Sequence, residues 1–235
     1  MTASTANHNG DTDLAGGRER MLALLRARVR DDRVIAAMAA GPRERFVPGQ
    51  LRSRAYDDCA LPIGEGQTIS QPLMVALMIE ALELKPDDRV LEIGTGSGYE
   101  AAVLAHLVRE VTTVERIPEL LARAVAALRA LGCANVHAFV AGAELGRAEG
   151  APYDAIVVSA GAPHVARVLL DQLAEGGRLV VPVGDLRGQE LVRAAKTPHG
   201  AELTRLGACG FVPLIGKDAW LEETLRDASR SPNVR

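Results

Sequence analysis

Three glycines at alternate positions, Gly94, Gly96 and Gly98, are the residues whose spacing first suggests chemistry. They follow the apolar run Val90 to Ile93 and precede a helix-forming stretch, Tyr99 to Leu107. Strand, glycine turn and helix make a cradle for a nucleotide-like ligand, because glycine lets the backbone turn tightly and approach a ligand closely. Glu115 ends the next β-rich run, Val111 to Val114, about twenty residues past the glycines, where such folds place an acid against ribose hydroxyls. A carboxylate only accepts hydrogen bonds and so suits two sugar hydroxyls. No His–acid or Cys–His pair is placed for base or nucleophile chemistry, and Cys59, Cys133 and Cys209 are too far apart for metal spacing or a disulfide framework. The histidines read as surface residues near element ends, with His164 the one placed to border a cleft.

These residues need elements to hold them, and the sequence supplies an alternation. A helix over Pro72–Leu84, with proline in its first turn and Ser70 as an N-cap candidate, leads through Lys85–Asp88 into the first strand. The pattern then gives helix 99–107, strand 111–115, helix 118–131, strand 136–140, strand 153–158, helix 164–173 and strand 178–183. Such alternation implies a doubly wound α/β fold around a mainly parallel sheet. Strands at 190–196 and 209–214 suggest an antiparallel C-terminal edge. Upstream, residues 18–40 read as helix broken near Asp31-Asp32, and 42–71 as a long loop of the kind that usually carries function. Residues 1–17 read as a disordered tail, 18–216 as one domain, and 217–235 as a charged tail with a short helix at 219–225.

The chain has 235 residues, enough for one sizeable core, with 48% hydrophobic and 24% charged residues. A net charge of -3 gives no electrostatic reason to bind nucleic acid or anionic membrane. No apolar run is long enough to span a bilayer, and no apolar signal core opens the chain, so a reducing cytoplasm is the expected home.

Several segments then converge. Pro42-Arg43-Glu44-Arg45-Phe46-Val47-Pro48, Gly66-Gln67-Thr68-Ile69-Ser70-Gln71-Pro72, the Val90–Tyr99 run, Glu115-Arg116-Ile117-Pro118, Gly161-Ala162-Pro163 and Phe211-Val212-Pro213-Leu214 resemble the protein-L-isoaspartate (D-aspartate) O-methyltransferase family. The match runs from about residue 42 to 216; the glycine turn is generic to methyltransferases, whereas the Gln67–Pro72 segment is specific. The resemblance implies S-adenosylmethionine as cofactor, S-adenosylhomocysteine as product, and a Rossmann-like fold. It implies methyl transfer to the free α-carboxylate of L-isoaspartyl residues, and by the family's name D-aspartyl ones, in damaged proteins and peptides. The ester then collapses to a succinimide that hydrolyses partly to normal aspartate. By the same resemblance Ser70 is the active-site serine, and Gln67, Thr68, Ile69 and Ser70 close over the cofactor. Glu92, Gly94 and Gly96 hold its amino-acid end, Glu115 takes the ribose, and Gly142 and Ala143 lie by the adenine. A carboxylate substrate is already anionic near pH 7, so no general base is needed. A monomer is the simplest expectation.

One position departs from the family. Members carry Gly-Asp-Gly after the third strand, where this chain has Ala141-Gly142-Ala143 followed by Glu144. The acidic contact to adenine is absent at Gly142, with Glu144 as a candidate replacement. The departure keeps open a degenerate cofactor-binding homologue. Separately, a related methyltransferase for one aspartate of a dedicated peptide is an alternative. A nicotinamide dehydrogenase is disfavoured by the Gln67–Pro72 segment.

Overall fold

The computed structural model describes residues 8–224, with side chains from Leu14 onward. Its centre is a seven-stranded sheet of order β5-β4-β3-β6-β7-β8-β9, built from β3 (Arg89–Ile93), β4 (Glu110–Glu115), β5 (Val136–Val140), β6 (Tyr153–Val158), β7 (Leu173–Gly184), β8 (Gln189–Thr197) and β9 (Gly200–Cys209). The first five pair in parallel, while β7–β8 and β8–β9 are antiparallel. Buried parallel strands need apolar residues on both faces. Val90, Val111, Ala155, Val157 and Val180 accordingly point into one core, whereas Leu91, Ile93, Ile156, Val158, Leu179 and Val181 point into a second. The first core is roofed by α1 (His8–Arg28), α2 (Asp32–Ala40), α3 (Pro72–Ala81), α4 (Tyr99–Leu104) and α5 (Pro118–Ala130); the second takes the five-residue α6 (Arg167–Asp171). After β5 the chain returns to pair β6 against β3, so the strand order reverses between β3 and β6. A crevice opens beyond the carboxyl ends of the strands at such a reversal.

Several expectations need correction. Helix α1 begins at His8, within the stretch expected to be a disordered tail; Leu14 packs against the core, and Gly17 lies close under Tyr56. Residues 1–7 lie outside the described residues. The stretch 42–71 is no open loop: it holds two 3-10 turns, Arg43–Arg45 and Gly49–Arg54, and a hairpin of β1 (Leu61–Gly64) and β2 (Gln67–Ile69). The two turn residues of that hairpin, Glu65 and Gly66, have φ of 52° and 67°, the left-handed pair that a tight hairpin requires. The helix expected over 164–173 shrinks to α6, because Leu173 already pairs with Tyr153. The last strand is Gly200–Cys209, not 209–214: its nine residues up to Ala208 are exposed, so it lacks the apolar signal that marks a strand. Val212 to Leu214 instead crosses back to Gly161. Ordered contacts pass the expected boundary at 216, since the Trp220 indole N–H donates to Gly161 O at 3.1 Å. The expected helix at 219–225 is seen only from Glu222 to Thr224; Leu225 lies outside the described residues.

Candidate active site

A cavity of about 310 Å³ occupies the crevice, within the size range of small-molecule sites. All ten residues given roles above line it: Gln67, Thr68, Ile69 and Ser70 from the hairpin's end, Glu92, Gly94 and Gly96 from β3 and its turn, Glu115 from β4, and Gly142 and Ala143 from the loop after β5. His164 is exposed and outside it.

The glycine turn is built for close approach. Gly98 has φ 88°, and a Cβ there would meet the Ala124 side chain of α5 at 3.1 Å, so only glycine lets the turn nest against that helix. Glu115 is buried and accepts from Gly96 N at 2.9 Å and Ile117 N at 3.0 Å. The strand-end acid thus already fixes the turn and the start of α5, while still lining the cavity.

Ser70 follows β2 at the cavity rim. Its carbonyl accepts from the fully buried Arg43 at 2.7 Å; Arg43 also donates to Ala55 O and lies 4.8 Å over the Tyr99 ring. Ser70 does not cap α3. The N-cap is Gln71, which gives no side-chain cap. Asp58 serves instead, accepting from Leu73 N and from the Gln71 amide, both at 3.0 Å. This assigns Asp58 a clear role, and no hydrogen bond among the described residues engages Ser70 Oγ. Glu144 is exposed on the rim and paired with Lys217 at 3.0 Å.

The sequence reading missed two parts of this site. One is the returning segment 212–216, which also lines the cavity; Phe211–Leu214 stood out as a family-like segment, but nothing local gave it a place at the site. The other is Glu100, whose signal was available: it is the one charge in the otherwise apolar Tyr99–Leu104 helix, every residue of which is buried. Glu100 accepts from the Ser159 hydroxyl, and Glu92 accepts from Thr113, which in turn meets Thr95 at 2.6 Å. One oxygen of each carboxyl, Glu92 Oε1 and Glu100 Oε1, is buried with no partner. Burial, then the neighbouring Glu100, pushes the Glu92 carboxyl well above the usual range; burial pushes Glu100 up to about 7 against the opposing Ser159 hydrogen bond. Unpartnered acceptors at one end of a cavity fit a ligand that brings donors or positive charge there.

A mainly parallel sheet, a glycine turn after its first parallel strand, an acid ending the next strand and a cavity at the strand reversal define a Rossmann-like nucleotide-type site. Its relatives place it in the class of methyltransferases that use S-adenosylmethionine. The family profile described as Protein-L-isoaspartate(D-aspartate) O-methyltransferase (PCMT) matches residues 17–219, and the chain belongs to this family. Among curated relatives, a protein-L-isoaspartate O-methyltransferase 1 of Rhodopseudomonas palustris is 53% identical over 228 residues, 94% of this chain and 93% of the relative. The protein-L-isoaspartate O-methyltransferase of Roseiflexus castenholzii is 53% identical, covering 90% of this chain and 97% of its own. Among solved structures, a protein-L-isoaspartate O-methyltransferase superposes with a TM-score of 0.77 at 30% identity, covering 86% of this chain and 67% of that one. A structure from Plasmodium falciparum, described as a PCMT in complex with S-adenosyl-L-homocysteine, gives 0.75 at 27% identity, covering 85% and 99%.

Proposed function

We propose that this protein methylates the free α-carboxylate of L-isoaspartyl residues in damaged proteins and peptides, using S-adenosylmethionine, and so initiates their repair. The observation that carries the reading is the delivery of Gln67–Ser70, with an unengaged serine hydroxyl, to the rim of a cavity that holds the glycine turn and Glu115. S-adenosylmethionine supplies an electrophilic sulfonium methyl.

The protein's own residues position and shield. Glu115 accepts from the ribose hydroxyls, and the turn at Gly94 and Gly96 lets the backbone approach the cofactor. The substrate carboxylate arrives as an anion, so no side chain has to remove a proton. Ser70 Oγ donates a hydrogen bond that orients it; a nucleophilic serine would need a base beside it. Gln67 to Ile69 on one side and 212–216 on the other exclude water, which strengthens each electrostatic contact. Arg43 holds Ser70 through its carbonyl, from within the core.

We further take the protein to work as a monomer in a reducing cytoplasm, independent of nucleic acid. Among the described residues no helix is long and apolar enough to cross a membrane, and all three cysteines are free. The deciding experiment is transfer of radiolabelled methyl from S-adenosylmethionine to an isoaspartyl peptide and to its aspartyl twin. Label on the isoaspartyl peptide alone is expected. Label on neither, with the cofactor bound, would leave a binding protein; label confined to one aspartyl peptide would indicate a dedicated substrate.

A further inference from the structure

Three carboxylates converge on the cavity from three elements: Glu92 of β3, Glu100 in the first turn of α4, and Glu115 of β4. Glu115 is satisfied by two backbone N–H groups. Glu92 and Glu100 each accept from one hydroxyl, of Thr113 and Ser159 respectively. The Ala101 backbone N–H in the first turn of α4 faces Glu92 and partly offsets its burial and the push from Glu115, and each carboxyl keeps one buried oxygen outside hydrogen-bond geometry. Both are buried, Glu92 completely and Glu100 at 7% exposure. The cations and anions elsewhere on the cavity wall do not neutralise them: Arg116 is paired with Glu222 and Glu144 with Lys217, all four well exposed. Two buried carboxyls with no cation between them are costly for the fold and stay only if something compensates.

We propose that Glu100 is a cofactor-binding residue which, with Glu92, forms a two-carboxylate seat for the ammonium group at the cofactor's amino-acid end. An ammonium brings three donors and a positive charge, which matches two unpartnered acceptors. The inference rests on reading the cavity as the S-adenosylmethionine site. It has a consequence that a packing role for Glu100 lacks. In the free protein the pair holds a proton near neutral pH, because burial and the neighbouring carboxyl oppose ionisation. The seated cation favours the ionised pair, so the proton leaves to solvent on binding. Affinity therefore rises with pH through the neutral range, by up to about tenfold per pH unit for each proton released. The free fold responds in the opposite direction. Its carboxyl midpoints lie above the unfolded value of about 4.3, so stability falls as pH climbs from there toward 7.

Calorimetric titration with S-adenosylhomocysteine tests this in buffers of different ionisation enthalpy, from pH 6 to 8. The unmodified protein should release between half a proton and one proton near pH 7, about the yield of one shared site. The nucleoside methylthioadenosine, which lacks the amino-acid end, should release none. Glu100→Gln keeps the acceptor for Ser159. It should weaken S-adenosylhomocysteine about tenfold at pH 8, abolish most of the proton release, and raise the melting temperature of the free protein at pH 8. Wild-type affinity, proton count and pH slope in Glu100→Gln would overturn the proposal. Should that variant not fold, zero proton release by the unmodified protein across the range overturns it without any variant. These readouts concern cofactor binding alone. Proton-linked binding with no methyl transfer to isoaspartyl peptide would break the functional reading and leave this one standing.

Discussion

Two buried polar clusters in this protein have opposite characters. At the amino end of the sheet, Arg178 of β7 donates to Leu82 O, Glu83 O, Asp154 O and Asp88 Oδ2 at 2.6–3.2 Å, and Asp88 also accepts from Lys85 N. Opposite charges meet there, and neither side chain leaves a buried atom unpartnered among the described residues. At the carboxyl end, Glu92 and Glu100 set like charges together and leave two oxygens open. The first cluster is complete in itself and ties the turn between α3 and β3 to β7. The second is incomplete without a ligand. Complete networks serve the fold, and incomplete ones at a cavity serve binding.

The sharpest test of that contrast removes a partner from the complete cluster. Arg178→Met strands a buried Asp88 and should cost about 3–5 kcal/mol of stability. Affinity for S-adenosylhomocysteine in the folded fraction should not change. Urea unfolding with calorimetric titration checks both; a loss concentrated in affinity would erase the distinction between the two ends.

Glu115 stands between the two kinds, since it serves the backbone and faces the cavity. Glu115→Ala should weaken cofactor binding about tenfold to a hundredfold, the worth of a charge-assisted hydrogen bond of roughly 1.5–3 kcal/mol. It should also cost about 1–2 kcal/mol of stability, because Gly96 N and Ile117 N lose their acceptor. Titration showing unchanged affinity would leave Glu115 with its backbone role alone.

Ser70 and Asp58 split the same two functions between neighbouring residues. Ser70→Ala should lower turnover on isoaspartyl peptide by about tenfold through lost orientation, with cofactor affinity and melting temperature nearly intact. Asp58→Ala should show the reverse, about 1 kcal/mol of stability lost with α3's cap and most of the turnover kept. Paired kinetics and melting curves decide; a stability loss from Ser70→Ala would return the cap to serine.

What the sequence revealed follows from how local each signal was. The strands 136–140 and 153–158 appear with the expected bounds, because short runs rich in β-branched and aromatic residues between turn residues are local signals. The cavity's glycine turn and Glu115 were legible for the same reason, whereas the Gln67–Ser70 end was legible only through its resemblance to the family, its local reading as a helix cap having failed. The hairpin that carries Gln67 was hidden by its brevity: β2 has only three residues, and its turn uses Glu65 at positive φ, where glycine or asparagine would have signalled it. Segment 212–216 reaches the site only through pairing with Gly161, a contact across some fifty residues that no local pattern encodes. Glu100 was visible as the one charge in an apolar helix, but its partner Ser159, just past β6, and its neighbour Glu92, on β3, are brought to it by no local pattern.

The smallest effect concerns the position that departs from the family. Gly142→Asp should tighten S-adenosylhomocysteine binding, by restoring an acid beside the adenine amino group. The backbone permits the change. Gly142 is not among the glycines at positive φ, and a Cβ there would meet nothing within 4 Å. The gain should be about threefold to tenfold, below the full worth of a charged hydrogen bond, because an exposed side chain must be ordered and partly desolvated to make it. Glu144 supplies the control. Its carboxylate is 67% exposed and engaged with Lys217, so Glu144→Ala should change affinity by less than about twofold. If Glu144 does serve the adenine, Glu144→Ala will weaken binding, and Gly142→Asp will rescue it. The two single variants and the double variant form a cycle that separates these cases. A well-folded Gly142→Asp with unchanged or weaker affinity, beside a silent Glu144→Ala, would mean that the adenine is read from elsewhere on the wall. The absent acid would then say nothing about how tightly this protein holds its cofactor.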